Sequence, residues 1–433
     1  MDFKKYSEIK KKIKPLIPTA VFNKTVNSFH LLESVVASAR YGFPARSMKF
    51  VGVTGTNGKT TTTNMIAAIL DEAGYTVGMN STAMLQVGDK KWENNLKLTT
   101  ANPFQLQKLL KDMKDADVQW CVMEVASHAL IQHRVWGLKF DTAVMTNLTR
   151  DHLDYHGTME NYAAAKGKLF EHHPDVMVLN RDDEWFDFYH KYETFNEISY
   201  GTTTGSDIQI SNVKLYSKGS LIEFKVLGKQ ETIEVGLQLP GKFNVYNAAA
   251  AVAATYGMGI ELDVIQGGLE SLEAVPGRME IIDEGQAATV IVDYAHAPDA
   301  LENVLSTIRM SLQGRLIAVI GADGERDPGK RLDIGRVAAE GCEVVIITDQ
   351  EPYGDDPAPI RQAVLEGTKQ AETDKAVVIK EVPDREEAIK KALGYGKKGD
   401  VVLVTGLGSQ PYRGMNEGKI DWDDREVVRR ALR

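Results

Sequence analysis

Apolar runs and amphipathic stretches alternate along residues 48–205. The run MKFVGV predicts a buried strand, and TTTTNMIAAILDEAG predicts a helix that ends at Gly74. Three more strand-like runs follow, with helical stretches between them: QWCVMEV, FDTAVMTN and DVMVLN. This alternation predicts a parallel β-sheet with helices on both faces.

Two later regions follow different patterns. Residues 206–239 alternate apolar and polar positions with glycine breaks, which predicts an antiparallel β-meander appended to the first sheet. An alanine-rich helical stretch, NVYNAAAAVAATYG, comes next. Then five more strand-like runs separated by helical stretches predict a doubly wound α/β domain: TVIVDYAH, RLIAVIGADG, EVVIITDQE, AVVIKEV and DVVLVTG.

The patterns divide the chain into three predicted parts. Residues 1–47 form a short helical N-terminal segment, residues 48–278 a central α/β domain, and residues 279–433 a Rossmann-like C-terminal α/β domain. We place the boundary between the two α/β domains near AVPGRMEIID, at about residues 275–282.

Composition and charge argue against several classes of protein. The net charge of −9 argues against a nucleic-acid-binding protein, which usually presents a basic face. Two cysteines inside apolar runs and the absence of a signal-peptide pattern favour a reducing cytoplasm. No apolar run approaches membrane-spanning length, so we expect no membrane insertion. The basic start, MDFKKYSEIKKKIKPLIP, would either touch a membrane surface or form a solvated helix face, and we favour the latter.

The stretch VGVTGTNGKTTTT predicts a phosphate-binding loop between the first strand and the first helix of the central domain. Backbone N–H groups of such a loop cradle phosphates, while Lys59 reaches the β- and γ-phosphates and Thr60 binds Mg²⁺. The commonest version of the motif has a glycine at the position of Val53. The sequence therefore predicts a P-loop domain that carries an uncommon loop variant.

Seven segments, taken in order, resemble the Mur ligase superfamily. They are TGTNGKTTT, CVMEVASHALIQHR, MTNLTRDHLDYHGTMENYAAAKGKLF, GKFNVYNAAAA, PGRME, VDYAHAPDAL and GADGERDPGKR, the last being similar to GCGGDRDKGKR. Members of this superfamily are ATP-dependent amide ligases of peptidoglycan synthesis. The segments are most similar to the MurE-like branch, which adds the third amino acid to UDP-N-acetylmuramoyl-L-Ala-D-Glu through an acyl phosphate.

The resemblance implies roles for individual residues. It implies catalytic roles for Lys59, Glu124, His152 and Lys166, and Mg²⁺ ligation by Thr60, Glu124, His152 and a carbamylated Lys166. It implies ATP contacts from Gly55, Thr56, Asn57, Gly58, Lys59, Thr60, Thr61, Asn247, Arg278, Asp293, Tyr294 and His296. Substrate contacts are implied at Thr99, Thr100, Ser127, Gln132, Arg134, Lys330, Arg331, Glu351, Tyr353, Gly406 and Gln410. Taken alone, Asn244 and Asn247 would be helix-capping residues.

The acceptor region departs from the family pattern. Diaminopimelate-adding members carry DNPR and GKGHE, whereas this chain has DQEPYGDDP and GLGSQPYRG, with Tyr353 at the arginine position. A tyrosine cannot form the bidentate carboxylate contact that arginine makes. We therefore predict a preference for an L-lysine-like diamino acid, with Glu351 and either Asp355 or Asp356 pairing its distal ammonium. The alternative is that these acids are solvated loop residues.

The N-terminal segment is the second departure, because 47 residues precede the predicted sheet where typical members have close to a hundred. We expect a reduced UDP-binding domain. Either the substrate carries a different handle, or the central domain holds UDP more weakly.

Two other functions compete with this hypothesis. One is another amide ligase of the superfamily, similar to folylpolyglutamate synthetase or acting on a non-UDP muropeptide. The other is an inactive nucleotide-binding module. In each case we expect a monomer with small-molecule ligands.

Overall fold

The computed structural model describes residues 19–96, 99–216, 218–373 and 377–433, with side chains from residue 28 onward. The basic start of the chain lies outside these residues. Helix α1 spans Thr19–Arg40, and a short 3-10 helix spans Pro44–Ser47. No described helix is both long enough and apolar enough to cross a membrane.

The first sheet has eleven strands in the order β11-β10-β9-β8-β7-β6-β1-β5-β2-β3-β4. Their bounds are β1 Lys49–Thr54, β2 Val77–Asn80, β3 Met84–Val87, β4 Lys90–Glu93, β5 Trp120–Glu124, β6 Thr142–Met145, β7 Val176–Asn180, β8 Asn196–Gly201, β9 Ile208–Tyr216, β10 Gly219–Val226 and β11 Glu231–Leu237. Strands β2, β5, β1, β6, β7, β8 and β9 pair in parallel. Strands β9 to β11 pair antiparallel, which confirms the predicted meander.

Helices cover both faces of this sheet. They are α2 Lys59–Glu72, α3 Pro103–Asp115, α4 Ser127–Ile131, α5 Leu153–His156, α6 Met159–Gly167, α7 Phe186–Tyr189, α8 Lys242–Gly257 and α9 Leu262–Glu270. The central strands are buried on both faces, which explains their continuous apolar sequence. Helix α2 packs against α8 and α9. At Gly268, an added Cβ would lie 2.5 Å from the Ile69 Cα, so glycine permits this close approach.

The second sheet has six strands in the order β12-β13-β17-β14-β15-β16. They are β12 Glu280–Ile282, β13 Thr289–Asp293, β14 Leu316–Ile320, β15 Val344–Ile347, β16 Val378–Glu381 and β17 Val401–Thr405. The flanking helices are α10 Pro298–Arg309, α11 Gly329–Gly341, α12 Pro357–Thr368, α13 Arg385–Tyr395 and α14 Asp424–Leu432, and a hairpin joins β18 Tyr412–Met415 to β19 Gly418–Asp421. Apolar clusters fill both faces, so the doubly wound architecture is confirmed.

Helix α8 begins close to Asn244 and Asn247, as the sequence predicts. Its N-cap is Gly241, and Asn244 and Asn247 lie within the first two turns. The capping interpretation of these two residues is therefore wrong. Asn244 Nδ2 instead donates to the Pro240 carbonyl oxygen at 2.8 Å, and Asn247 Nδ2 donates to Asn244 Oδ1 at 3.0 Å.

Candidate active site

The phosphate-binding loop joins β1 to α2. Gly55 has φ 146° and Gly58, the N-cap of α2, has φ 83°. A Cβ on Gly55 would lie 1.8 Å from Thr146 Oγ1, so the loop tolerates only glycine there. Val53 is fully buried inside β1, before the chain turns. The missing glycine of the common motif therefore falls on a strand position in this protein.

Lys59 curls back over the loop. Its ammonium donates to the carbonyl oxygens of Gly55 at 3.0 Å and Thr56 at 2.7 Å. Burial lowers the pKa of Lys59, while the neighbouring carboxylates of Glu124 and Asp151 act in the opposite direction. The loop thus concentrates positive charge and backbone donors at the N-terminus of α2, which suits a phosphate group.

Glu124 ends β5 beside this loop and is 2% exposed. Its Oε2 accepts hydrogen bonds from Thr60 Oγ1 at 3.0 Å and from the Thr82 amide at 2.7 Å. Arg278, from the segment between the two sheets, donates to Thr60 Oγ1 at 3.1 Å. A carboxylate, a hydroxyl and a guanidinium therefore meet at the start of α2.

Lys166 on α6 is the most deeply buried of the predicted site lysines, with 1% exposure. Its Nζ donates to the Gly55 carbonyl oxygen at 2.6 Å and lies 4.6 Å from the ring centroid of Tyr162. Burial, followed by the charge of Lys59, holds the pKa of Lys166 well below its usual value. The same environment favours the neutral amine, which is the nucleophilic form.

His152 follows β6 and lies close to a buried ion pair. Its backbone adopts the left-handed conformation, with φ 52°, and its amide donates to Asp151 Oδ1 at 2.8 Å. Lys330 Nζ from α11 donates to the same oxygen at 2.6 Å. Burial lowers the pKa of His152 to about 2, so its imidazole is neutral at pH 7 and keeps a lone pair for a metal.

The side chains partly fit a Mg²⁺ site. Among the described residues, no group of three or more His, Cys, Asp or Glu side chains is arranged to hold a metal ion. Thr60 and Glu124 supply oxygen donors, and His152 supplies a nitrogen, but Mg²⁺ prefers oxygen. A carbamate on Lys166 would supply the missing anionic oxygens, so the donor set fits the metal only if Lys166 is modified.

The predicted nucleotide residues from the second half converge on Tyr294. The Arg278 guanidinium lies 4.2 Å from the Tyr294 ring centroid, and the His296 ring lies 4.6 Å from it. Asp293 uses both carboxylate oxygens to accept amides, from Met279 and Ala295, each at 2.7 Å. These contacts hold the loop after β13 in place.

Asn247 and Thr61, two other predicted nucleotide residues, lie against the P-loop. Thr62 Oγ1 donates to Asn247 Oδ1 at 3.4 Å, and that oxygen lies 2.2 Å from where a Cβ on Gly58 would be. Thr61 is buried in the first turn of α2.

The predicted peptide-substrate residues cluster at the carboxyl end of β5. Arg134 donates to Gln132 Oε1 at 2.6 Å and to the Thr100 carbonyl oxygen at 3.0 Å. Ser127 Oγ lies 3.0 Å from His156 Nε2, and Thr99 accepts from Thr82 at 3.0 Å. This group adjoins the P-loop through Glu124, whose carbonyl oxygen accepts from Thr100 Oγ1 at 3.0 Å.

The predicted acceptor residues lie on the second sheet. Glu351 is 3% exposed and accepts from Tyr353 Oη at 2.9 Å and from the Gly414 amide at 2.6 Å, so the solvated-loop alternative is wrong for this residue. Gln410 Nε2 donates to Tyr294 Oη at 3.0 Å. Gly406 has φ 108° and lies against Gln350.

Three predicted residues near the acceptor region have other partners. Asp355 Oδ2 accepts from the Glu325 amide at 2.8 Å and lies 3.5 Å from Arg331. Asp356 caps α12 through the Ala358 amide, at 3.0 Å. Arg331 also donates to the Asp323 carbonyl oxygen at 3.2 Å. The structure therefore brings Glu351 and Tyr353 together. Asp355 instead contacts Glu325 and Arg331, and Asp356 caps α12.

Sequence reasoning missed two residues that connect the halves of the molecule. Asp299 Oδ2 accepts from Asn57 Nδ2 and Thr149 Oγ1, each at 2.6 Å, and so links α10 to the P-loop. Asp151 receives Lys330, as described above. Both aspartates lie inside segments that the sequence analysis singled out, RDHLDYHG and YAHAPDAL, but only their contacts show what they do.

The fold and site define a P-loop α/β protein whose nucleotide loop is completed by a second α/β sheet. Two family models match the chain: the Mur ligase middle domain over residues 53–255 and the Mur ligase glutamate ligase domain over residues 277–408. The UDP-N-acetylmuramoyl-L-alanyl-D-glutamate--2,6-diaminopimelate ligase of Clostridium botulinum is 41% identical over 402 residues, which are 92% of this chain and 81% of that protein.

Comparison with solved structures also finds ligases with this fold. A UDP-N-acetylmuramoyl-L-alanyl-D-glutamate--2,6-diaminopimelate ligase superposes with a TM-score of 0.62 at 31% identity, covering 93% of this chain and 82% of that one. The Mycobacterium tuberculosis folylpolyglutamate synthase complexed with ADP shares the fold, with a TM-score of 0.70 at 17% identity over 87% of this chain and 91% of its own. The chain belongs to the Mur ligase family, as a MurE-like member, and is an ATP-dependent amino-acid ligase.

Proposed function

We propose that the protein joins a basic diamino acid, L-lysine or ornithine, to UDP-N-acetylmuramoyl-L-alanyl-D-glutamate. In the first step a substrate carboxylate oxygen attacks the γ-phosphorus of ATP, which releases ADP and forms an acyl phosphate. In the second step the acceptor's amine attacks the acyl carbon. The bond to phosphate breaks, the nitrogen loses a proton, and an amide and inorganic phosphate result.

The charges around the P-loop support the first step. Lys59 and Arg278 both contact the loop or its helix, so their positive charges would offset the charge on the transferring phosphoryl group. The contact of Asp299 with Asn57 brings the second half of the molecule onto the loop. Such closure would exclude water and protect an acyl phosphate from hydrolysis.

The metal proposal depends on Lys166. The neutral amine would add to CO₂ and lose a proton, which leaves a carbamate with two oxygen donors. Thr60, Glu124, His152 and this carbamate would then hold Mg²⁺, and the metal would neutralise charge on the phosphoryl oxygens. The burial of Lys166 beside Lys59 supports the proposal, because it favours the uncharged amine.

One observation carries the acceptor proposal: the buried Glu351 carboxylate, with Tyr353 donating to it at 2.9 Å. An arginine at position 353 would attract the distal carboxylate of diaminopimelate, whereas a tyrosine beside a glutamate favours an acceptor that ends in an ammonium alone. The second candidate acceptor is 2,6-diaminopimelate, which the name of the C. botulinum relative favours.

An acceptor panel tests both candidates. Purified protein, ATP, Mg²⁺ and UDP-N-acetylmuramoyl-L-alanyl-D-glutamate are incubated with L-lysine, L-ornithine or meso-diaminopimelate, and phosphate and the ligated product are measured. We expect the highest kcat/KM with L-lysine or L-ornithine. Faster turnover with diaminopimelate would reject the lysine-like acceptor, and no acceptor-dependent ADP release would favour the inactive nucleotide-binding module. Repeating the assay with the same substrate lacking the UDP group tests whether the protein recognises UDP. Equal KM values for the two substrates would exclude a uridine site.

We also propose that the activity resides in two domains, residues 48–278 and 279–433, of a cytoplasmic monomer. Limited proteolysis tests the boundary, with the first cut expected near residues 275–282. Gel filtration with light scattering tests the monomer.

A further inference from the structure

Arg425, in the first turn of α14, is buried and contacts three carboxylates. Two parallel hydrogen bonds join its guanidinium to Glu93 at the end of β4, at 2.9 and 2.6 Å. The guanidinium also donates to Asp423 at 2.6 Å and to Glu280 of β12 at 3.4 Å. Glu93 belongs to the first sheet, whereas Arg425 and Glu280 belong to the second half. One guanidinium therefore fastens the two halves together at a point outside the P-loop.

On one side, Arg425 leads to the segment between the two sheets. Glu280 Oε2, which accepts from Arg425, also accepts from the Gly277 amide at 2.9 Å. The next residue along the chain is Arg278, whose guanidinium donates to Thr60 Oγ1 at 3.1 Å. The Glu280 carboxylate therefore connects Arg425 to the turn from which Arg278 reaches the helix that follows the P-loop.

On the other side, Glu93 leads to the loop beside Glu124. Asn94, which follows Glu93, is buried, and its Nδ2 donates to the Ser81 carbonyl oxygen at 2.6 Å. The next amide, that of Thr82, donates to Glu124 Oε2 at 2.7 Å. The β3–β4 hairpin therefore connects the same guanidinium to a predicted metal ligand.

The two paths end on one oxygen atom. Glu124 Oε2 accepts from Thr60 Oγ1 at 3.0 Å as well as from the Thr82 amide. The contacts thus form a closed circuit that crosses between the two halves twice, at Arg278 and at Arg425. The crossing at Arg425 is bidentate, so it fixes both the distance and the orientation of the paired carboxylate. It therefore restricts how far the second half can shift while Arg278 stays beside Thr60.

We propose that Arg425 is a positioning residue for the ligase reaction: it holds the second half against the β3–β4 hairpin and so keeps Arg278 beside Thr60, a role that rests on the proposed function of Arg278 in phosphoryl transfer. Arginine suits this role because its planar fork matches a carboxylate, whereas a lysine would act as a point charge. A displaced Arg278 would stabilise the transferring phosphoryl group less well, so loss of Arg425 lowers kcat.

The Arg425→Gln variant tests the role because it removes the charge and the fork. We expect kcat, measured with the acceptor that the wild type uses fastest, to fall about tenfold or more, and KM for ATP to change less than about threefold. Glu93→Gln should lower kcat similarly from the opposite side of the contact. The matched control is Lys91→Gln, which breaks a pair with Asp71 on the same strand but within the first half, and we expect no change in kcat.

A double-mutant cycle separates this role from local stabilisation of α14. Because Arg425→Gln and Glu93→Gln break the same contact, we expect the double variant to be within about twofold of the slower single variant. Additive losses overturn the inference. So do wild-type kcat in either single variant, a loss confined to KM for ATP, and an equal loss in Lys91→Gln.

Arg278→Ala distinguishes failure of this inference from failure of the proposed function. Full kcat in Arg278→Ala would reject the proposed role of Arg278, and the inference would fall with it. Loss of activity in Arg278→Ala with wild-type kcat in Arg425→Gln would reject the inference alone. If Arg425→Gln does not fold, as judged by ADP-dependent thermal stabilisation, Glu93→Gln and Glu93→Ala are measured under the same criteria, since the Glu93 side chain is 46% exposed.

Discussion

Lys330 and Asp151 form an ion pair between the two halves of the molecule, with Nζ and Oδ1 2.6 Å apart and both side chains almost completely buried. Asp151 immediately precedes His152, a predicted metal ligand, and Lys330 lies at the start of α11 in the second half. The ion pair therefore holds the second half of the molecule next to His152, and it couples the position of that half to the position of a predicted catalytic residue.

Removal of Lys330 should destabilise this arrangement. In Lys330→Ala the Asp151 carboxylate would stay buried without its cation, which typically costs about 3–5 kcal/mol. We expect a lower urea midpoint, a larger radius of gyration in solution scattering and at least about a tenfold loss of ligase activity. The control is Arg433→Ala, which breaks a solvent-exposed pair with Glu284 and should change none of these quantities. An unchanged midpoint in Lys330→Ala would contradict the structural role of the pair.

The Lys166→Ala variant tests the carbamate. We expect activity to fall below detection and to return partly when short carboxylates such as acetate or formate are added, since they would replace the lost oxygen donors. Lys168→Ala is the matched control, because this lysine lies two residues further along and lines a surface pocket instead. Full activity of Lys166→Ala without added anions would reject the carbamate.

The proposed acceptor site should respond to Tyr353→Arg. The new guanidinium would lie beside Glu351 and attract a distal carboxylate, so we expect the kcat/KM ratio of diaminopimelate to L-lysine to rise about tenfold or more. Competition assays with both acceptors in one reaction measure this ratio directly. Tyr353→Phe serves as control, since it removes only the hydroxyl that donates to Glu351. If the ratio is the same in Tyr353→Arg and wild type, the residue at position 353 does not determine selectivity for the distal group of the acceptor amino acid.

Two glycines at opposite ends of α2 provide a matched test of the P-loop. Gly58 and Gly74 have φ values of 83° and 79°, so alanine strains the backbone similarly at each. A Cβ on Gly58 would also lie 2.2 Å from Asn247 Oδ1, whereas one on Gly74 meets nothing within 4 Å. We expect backbone strain to cost each variant about 1 kcal/mol of stability, and Gly58→Ala to lose more because Asn247 must shift. Only Gly58→Ala should weaken ADP binding, measured by calorimetry. Equal ADP affinities would contradict the assigned role of this contact.

Three imidazoles near the site should remain neutral in mild acid. Burial lowers the pKa of His128, His156 and His296 to about 4 in each case. In the unfolded chain histidine binds its proton below about pH 6.5. Between about pH 6.5 and 4 the unfolded state therefore binds more protons, and the histidines' contribution to the free energy of unfolding falls as the pH falls.

Nuclear magnetic resonance of the imidazole carbons measures these pKa values in the folded protein. We expect the three rings to keep their neutral chemical shifts at pH 5.5. Asp323 acts in the opposite direction, because burial, followed by the charge of Glu351, raises its pKa, so the folded state binds that proton more readily. A His128→Asn variant should accordingly lose less stability than wild type between pH 6.5 and 4. Titration of the rings near pH 6.5 would contradict their burial.

The sequence was most informative about elements that local patterns determine. The buried strand before the loop, the helix ending at Gly74 and the meander over residues 206–239 all follow from periodicity and glycine positions, and the structure confirms them. The capping alternative for the asparagines of α8 was wrong, because a pattern of polar residues at a helix start does not distinguish a cap from the first two turns.

Contacts between distant segments were beyond sequence reasoning. Asp151 and Lys330 are 179 residues apart, and no periodicity relates them. The same holds for Asp299 and Asn57, and for Arg425 and Glu93. Burial of Glu351 also depends on the hairpin β18–β19, whose Gly414 amide binds it, and a loop sequence rich in acids gives no sign of such a cover.

Arg278 lies between the sheets and touches both halves, with Thr60 on one side and the Tyr294 ring on the other. Tyr294 in turn receives Gln410 from the acceptor side. The chemistry of this ligase is thus divided among segments that cannot be exchanged independently. A chimera that grafts a foreign acceptor domain onto this P-loop must retain an aromatic partner for Arg278, or the guanidinium will lose a contact that positions it beside Thr60.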